Sequence, residues 1–182
     1  MKKILLTSAG FENDNIKTKF MELIDKDSND IKALFITTAA IEADAIMVLP
    51  KCLEDLFKCG ISKDNITVYD MHKLIDIDKL MTYDVIYVCG GKTSYLVDRM
   101  NEVGFKDIVY EYIANGGIYV GVSAGSVAAS GKYNDGLNFI KNVLNVHCEK
   151  GTLCGVVTDD VPIDLTNDQA ILIIDNGISI IE

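Results

Sequence analysis

The chain alternates short, wholly apolar runs with stretches of helical spacing, and this alternation is what most narrows its possible folds. Lys3-Ile4-Leu5-Leu6-Thr7-Ser8 is apolar through its centre and runs into Ser-Ala-Gly, the pattern of a buried parallel strand. Ile16, Phe20, Leu23 and Ile24 then recur at helical spacing within 15–24. A second strand is predicted over 31–37, a helix over 43–58 with Cys59-Gly60 as its stop, and a short third strand over 66–69. Residues 76–81 supply one or two helical turns. Asp84-Val85-Ile86-Tyr87-Val88-Cys89 is the next strong strand and leads directly into Gly90-Gly91-Lys92-Thr93. Helices follow from Ser94 and from Phe105 to about Ala114, and Asn115-Gly116-Gly117 turns the chain into Ile118-Tyr119-Val120.

Such alternation implies right-handed crossovers and a mainly parallel sheet flanked by helices on both faces, an α/β fold. The C-terminal third differs. A strand over 143–146 ends at His147, and two apolar runs, 170–174 and 178–181, flank Asp175-Asn176-Gly177. Asn-Gly is a strong hairpin signal, so these runs read as an antiparallel hairpin at a sheet edge. With 182 residues, 49% of them hydrophobic, and no repeat or linker, the chain reads as a single α/β hydrolytic domain, 1–182.

Charge and cysteine content exclude several classes of partner. The net charge is −10, and the 17 basic residues are scattered, with Arg99 the only arginine. A nucleic-acid partner would need clustered Lys and Arg. No run reaches the length of a membrane span, and no signal peptide is visible after Met1-Lys2-Lys3. The five cysteines form no Cys-x-x-Cys pair, and reduced thiols in a cytoplasmic protein are the economical reading. His147, Cys148 and Cys154 can be drawn as a metal site, but their spacing fits no zinc pattern, so no metal or cofactor is expected.

In parallel sheets ligands bind beyond the carboxyl ends of the strands. Two glycine-containing turns fall there, Gly90-Gly91 and Gly121-Val122-Ser123-Ala124-Gly125. The second has the strand, Gly-x-Ser-x-Gly, helix context of a nucleophile elbow, in which glycines relieve backbone crowding around a raised serine. Its other reading is a small-residue turn that binds nothing.

A serine hydroxyl needs a positioned base. The chain offers His72, in what reads as a surface connection, and His147, at the carboxyl end of a strand. An orienting carboxylate would complete the set. Asp135, in Tyr133-Asn134-Asp135-Gly136, gives the order Ser, Asp, His; Asp159, Asp160, Asp164 and Asp168 compete with it, and Asp135 also suits a turn. The amides of Ala124 and Gly91 are the candidate donors to a developing oxyanion. Gly90-Gly91-Lys92-Thr93 lacks the preceding glycine of a P-loop and otherwise reads as an ordinary strand-to-helix turn.

Taken together, Gly90-Gly91-Lys92-Thr93, Gly121-Val122-Ser123-Ala124-Gly125, Asn134-Asp135 and His147 resemble the S51 serine peptidases, the dipeptidase E family. The resemblance runs from the first strand to the closing hairpin. It implies a class I glutamine amidotransferase-like, flavodoxin-like fold and a small peptide as substrate, with aspartyl dipeptides the best-known case, cleaved without metal or organic cofactor. It also implies Ser123 as nucleophile, His147 as base and Asp135 as third member. Gly91 and Ala124 would form the oxyanion hole, with Gly90, Lys92 and Thr93 against substrate. Three positions depart from the family pattern: Lys92 stands where Asn is usual, Val146 where Pro is common, and no arginine follows His147. An acidic substrate side chain would then fall to lysines such as Lys92 or Lys150. A small-molecule esterase or amidase on the same residues, and a weakly catalytic binding protein that keeps the fold, are the other readings.

Overall fold

A computed structural model describes residues 1–158 and 161–182. Its centre is an eight-stranded sheet in the order β3-β2-β4-β5-β1-β9-β10-β7. The five parallel members are β1 (Lys3–Thr7), β2 (Ala33–Ile36), β3 (Ile66–Tyr69), β4 (Val85–Val88) and β5 (Ile118–Val122). On the other side of β1 the sheet turns antiparallel through β9 (Ala170–Ile174), β10 (Gly177–Ile181) and the two-residue β7 (Gly155–Val156).

Side chains alternate across each strand, as the two-residue period requires. Ile4 and Leu6, Leu34 and Ile36, and Ile86 and Val88 enter one core with α3 (Ile77–Leu80), α4 (Thr93–Glu102), α5 (Phe105–Ala114) and α6 (Ala124–Ala128). Leu5, Phe35, Val85 and Tyr87 enter the other, against α1 (Asp14–Leu23) and α2 (Ala43–Lys58). The α/β class with helices on both faces is therefore the observed architecture.

Helix ends follow local chemistry. Asn13 caps α1, its side-chain oxygen accepting from the Ile16 amide at 2.9 Å. Its Nδ2 also donates to the Asp168 carbonyl at 2.6 Å, tying the start of α1 to the loop before β9. Asn13→Ala is expected to lower stability by about 1 kcal/mol, read as a lower urea midpoint at unchanged slope. Helix α2 keeps its predicted bounds although Pro50 lies inside it. Proline deprives the carbonyl four residues earlier of its partner, and that residue, Ile46, is exposed, so water can take the bond.

Two C-terminal expectations change. The hairpin lies inside the sheet, not at its edge: β9 pairs with β1 from Lys3↔Ile174 to Thr7↔Ala170, and β7 covers part of β10. Its two-residue turn is Asp175-Asn176, with Gly177 already paired to Ile174. Asp175 carries the positive φ (52°), and its carboxylate accepts from the Lys2 amide at 2.8 Å. The strand expected over 143–146 is reduced to β6 (Leu144–Asn145), which pairs in parallel with β8 (Ile163–Asp164) as a separate small sheet. No helix among the described residues is long and apolar enough to cross a membrane.

Candidate active site

The carboxyl ends of β4, β5 and β1, neighbours in the sheet, deliver Gly90-Gly91, Ser123 and Ser8-Ala9 to one rim. Ser123 has φ 49° and ψ −106°, a backbone conformation that costs on the order of 1–3 kcal/mol outside glycine. Several contacts hold it there. Its amide donates to the Thr7 carbonyl at 3.0 Å, and the Ser126 hydroxyl lies 2.7 Å from both the Thr7 and Gly121 carbonyls. The two motif glycines are there because the backbones nearly touch. A Cβ on Gly121 would stand 2.7 Å from the Gly125 carbonyl carbon, and one on Gly125 would stand 2.4 Å from the Val88 oxygen. The strand-to-helix context read from the sequence is the observed one.

His147 reaches this serine from the segment after β6. Its Nε2 lies 2.9 Å from Ser123 Oγ, and its Nδ1 lies 2.7 Å from Asn167 Oδ1. Because Nδ1 faces a carbonyl oxygen, it carries the proton, leaving Nε2 free to accept from the serine hydroxyl. His147 also has a positive φ (58°). The Ser8 hydroxyl accepts from its amide at 2.7 Å and reaches toward Asn167 Oδ1 at 3.5 Å, so one side chain at the end of β1 braces both partners.

Asp135 is not brought to this imidazole. It is exposed, and its carboxylate accepts from Asn101 Nδ2 at 3.3 Å, in keeping with a turn residue before Gly136. The position it was expected to fill is occupied by Asn167. Of the competing carboxylates, Asp164 accepts from Asn145 at 2.8 Å and Asp168 meets Asn13 through its carbonyl, while Asp159 and Asp160 lie outside the described residues. His72 is an exposed surface residue 3.6 Å from Asp70. His147, Cys148 and Cys154 do not converge; among the described residues no group of three His, Cys, Asp or Glu is placed to hold a metal ion.

Beside Ser123 lies a cleft of about 270 Å³, whose wall includes Ser8, Gly90, Gly91, His147 and Asn167. Gly91 adopts φ 137°, and a Cβ on it would stand 2.0 Å from the Ala39 oxygen. That same oxygen accepts the Lys92 amide at 2.8 Å, which fixes the Gly90-Gly91 loop against the turn after β2. Among the described residues neither the Gly91 nor the Ala124 amide is taken by a protein acceptor. Lys92 is exposed on a flank lined by Glu42 and Asp44, outside the cleft, and Thr93 opens α4. Arg99 is engaged elsewhere, Nη2 donating to the Met71 carbonyl at 2.5 Å and Nη1 pairing with Glu102.

Several residues of the cleft, among them Glu12, Lys51, Asp55 and Asn167, belong to no motif of the sequence. Asn167 was missed because only carboxylates were sought. In the sequence Lys51 and Asp55 are ordinary charged positions of α2, with no motif around them. Asn167 carries no local signal: it reaches the rim because β9 runs antiparallel to β1 and so begins where β1 ends.

Comparison with known proteins gives a coherent set of likenesses. The model of Peptidase family S51 matches residues 4–152, a span that includes Gly91, Ser123 and His147 and ends before Asn167. An uncharacterized peptidase of Listeria monocytogenes is 27% identical over 130 residues, 71% of this chain and 62% of that protein. One from Listeria innocua is 28% identical over 130 residues, 71% of this chain and 60% of that protein. The aligned stretch is thus under two thirds of either relative's length. The crystal structure of a putative peptidase E protein from L. monocytogenes superposes with a TM-score of 0.76 at 20% identity, covering 100% of this chain and 98% of that one.

Proposed function

We propose that this chain, which belongs to Peptidase family S51, is a serine-type peptidase that hydrolyses small peptides with Ser123 as nucleophile and His147 as its base. The observation that carries this reading is the 2.9 Å contact between His147 Nε2 and the hydroxyl of a serine held at φ 49°. In the acylation step Ser123 Oγ attacks the scissile carbonyl carbon while its proton passes to His147 Nε2. The oxyanion that forms is met by the amides of Gly91 and Ala124. On collapse the C–N bond breaks and the departing amine takes the proton from Nε2. Water then attacks the acyl-serine, giving its proton to the same nitrogen, and Oγ recovers it as the acid leaves.

Asn167 acts here as a neutral acceptor for Nδ1–H. It fixes the tautomer and the ring orientation, and it stabilises the imidazolium less than a carboxylate would. A cleft of about 270 Å³ is at the small end for ligand sites, which favours a short peptide over an extended chain. Preference for aspartate gains no support from the cleft. Its lysine, Lys51, is already paired with Glu12, and the one arginine lies elsewhere.

A fluorophosphonate probe tests the reading. The wild-type protein is expected to be labelled, with fluoride displaced by Ser123 Oγ, and labelling is expected to vanish in Ser123→Ala. An unlabelled wild type would remove the hydrolase reading in favour of a binding protein that keeps the fold. Labelling accompanied by turnover of esters alone, with no dipeptide cleaved, would favour an esterase.

A further inference from the structure

The cleft holds an acid for which the hydrolytic steps have no use. Asp55, on α2, is 6% exposed and lines the same cleft as Ser123 and His147. Its Oδ2 accepts from the Phe11 amide at 3.0 Å and from the Tyr87 hydroxyl at 2.7 Å. No donor among the described residues reaches Oδ1, and no basic group among them forms an ion pair with this carboxylate. The fold makes room for it. Gly10 adopts φ 89°, and a Cβ there would stand 2.3 Å from Asp55 Oδ2.

A buried carboxylate with one oxygen unpaired is costly unless a cation meets it. Burial pushes the Asp55 carboxyl above its ordinary range, against the two hydrogen bonds that pull it down. No neighbour pairs with it: Lys51 is committed to Glu12, Lys58 pulls the carboxyl down only from a distance and stands 3.8 Å from Glu54, and Glu12 adds like charge. The sign follows from the raised value. The contribution of this burial to stability is present at low pH and is lost as the carboxyl ionises, so at neutral pH the charged form weighs against the fold. A cation bound in the cleft would offset that cost.

We propose that Asp55 is a cation-binding subsite of the cleft and takes an ammonium group of the ligand. Building on the hydrolase reading, that group is either the free amino terminus of a small peptide or a basic side chain, which present the same chemistry to the carboxylate. An acidic side chain at this position would meet Asp55 and Glu12 and be repelled, so the subsite also selects against acidic residues there.

The test is a binding titration that needs no turnover. Alaninamide, N-acetyl-lysinamide and N-acetylalaninamide are titrated calorimetrically into Ser123→Ala and into Ser123→Ala/Asp55→Asn. At least one cationic ligand is expected to bind Ser123→Ala tenfold or more tighter than N-acetylalaninamide, and the difference is expected to disappear with Asp55→Asn. Preference for alaninamide identifies the amino terminus, and preference for N-acetyl-lysinamide a side chain. Equal binding of all three, or a preference that survives Asp55→Asn, overturns the proposal. Asp55→Asn keeps an acceptor for Phe11 and Tyr87; should the double variant not fold, Ser123→Ala/Glu12→Gln decides. Retained preference there supports Asp55, and its loss transfers the cation to Glu12 and overturns the assignment. Fluorophosphonate labelling of the wild type is read separately. A protein that binds the cationic ligands through Asp55 yet resists the probe keeps the subsite and loses the hydrolase reading.

Discussion

His147→Ala is expected to lower kcat/KM by about 10⁴- to 10⁶-fold, the range seen when one member of a serine-histidine-aspartate unit is deleted. The imidazole is the one group within hydrogen-bonding distance of Ser123 Oγ among the described side chains, so nothing nearby replaces it as proton acceptor. Two companion variants separate the roles. Asn167→Ala removes one hydrogen bond to a ring that becomes charged, a loss of about 1.5–3 kcal/mol or roughly ten- to a hundredfold. Asp135→Asn should leave kcat/KM within about twofold, because its carboxylate is exposed and hydrogen-bonded to Asn101. Steady-state kinetics on whichever small peptide the wild type cleaves will rank the three. A collapse of turnover in Asp135→Asn with Asn167→Ala unaffected would reverse the assignment.

Gly91→Ala carries the second large effect, on both stability and rate. The new Cβ would meet the Ala39 oxygen at 2.0 Å, at a φ of 137° that side chains rarely adopt. Since the obstacle is backbone, fixed by the Lys92 amide at 2.8 Å, no rotamer relieves it. Backbone strain and overpacking each cost on the order of 1–3 kcal/mol, so a loss of about 3 kcal/mol or more is expected in chemical denaturation. Whatever folds should also turn over about 10²–10³-fold more slowly, the usual consequence of losing one oxyanion donor. Gly104→Ala is the control. It has φ 63° but nothing within 4 Å of a Cβ, so only the left-handed conformation is penalised, by roughly 1–2 kcal/mol.

What could be read from the amino acids was whatever rests on local repetition. The buried strands 85–88 and 118–122 announce themselves as continuous apolar runs, and α2 and α5 carry their ends in their spacing. The elbow was equally legible, because its Gly-x-Ser-x-Gly pattern is local and Gly121 answers to crowding by Gly125 and Ser126, although Gly125 answers to Val88 on the neighbouring strand. Non-local pairing was hidden. The Asn-Gly turn was correctly seen as a hairpin, but nothing in residues 170–181 says that their first strand joins β1. With the hairpin assigned to an edge, nothing in chain order sets Asn167 beside His147, and the order Ser, Asp, His favours Asp135 over competitors such as Asp168. Asp55 was concealed for a related reason: on a helix with mostly exposed positions, only contact with Gly10, Phe11 and Tyr87 marks it as buried.

The antiparallel seam between β1 and β9 joins Thr7 to Ala170, nearly opposite ends of the described chain. Closing so long a loop is entropically costly and comes late among the contacts a chain makes. A chain growing from its amino terminus therefore has the strands that carry Ser123 long before it has the residue that orients His147. During synthesis Ser123 precedes the side chain that orients His147, so on the proposed mechanism full activity waits for that hairpin to dock. Partly made chains would then be poor hydrolases even where their sheet has formed, and activity would report completion of the seam.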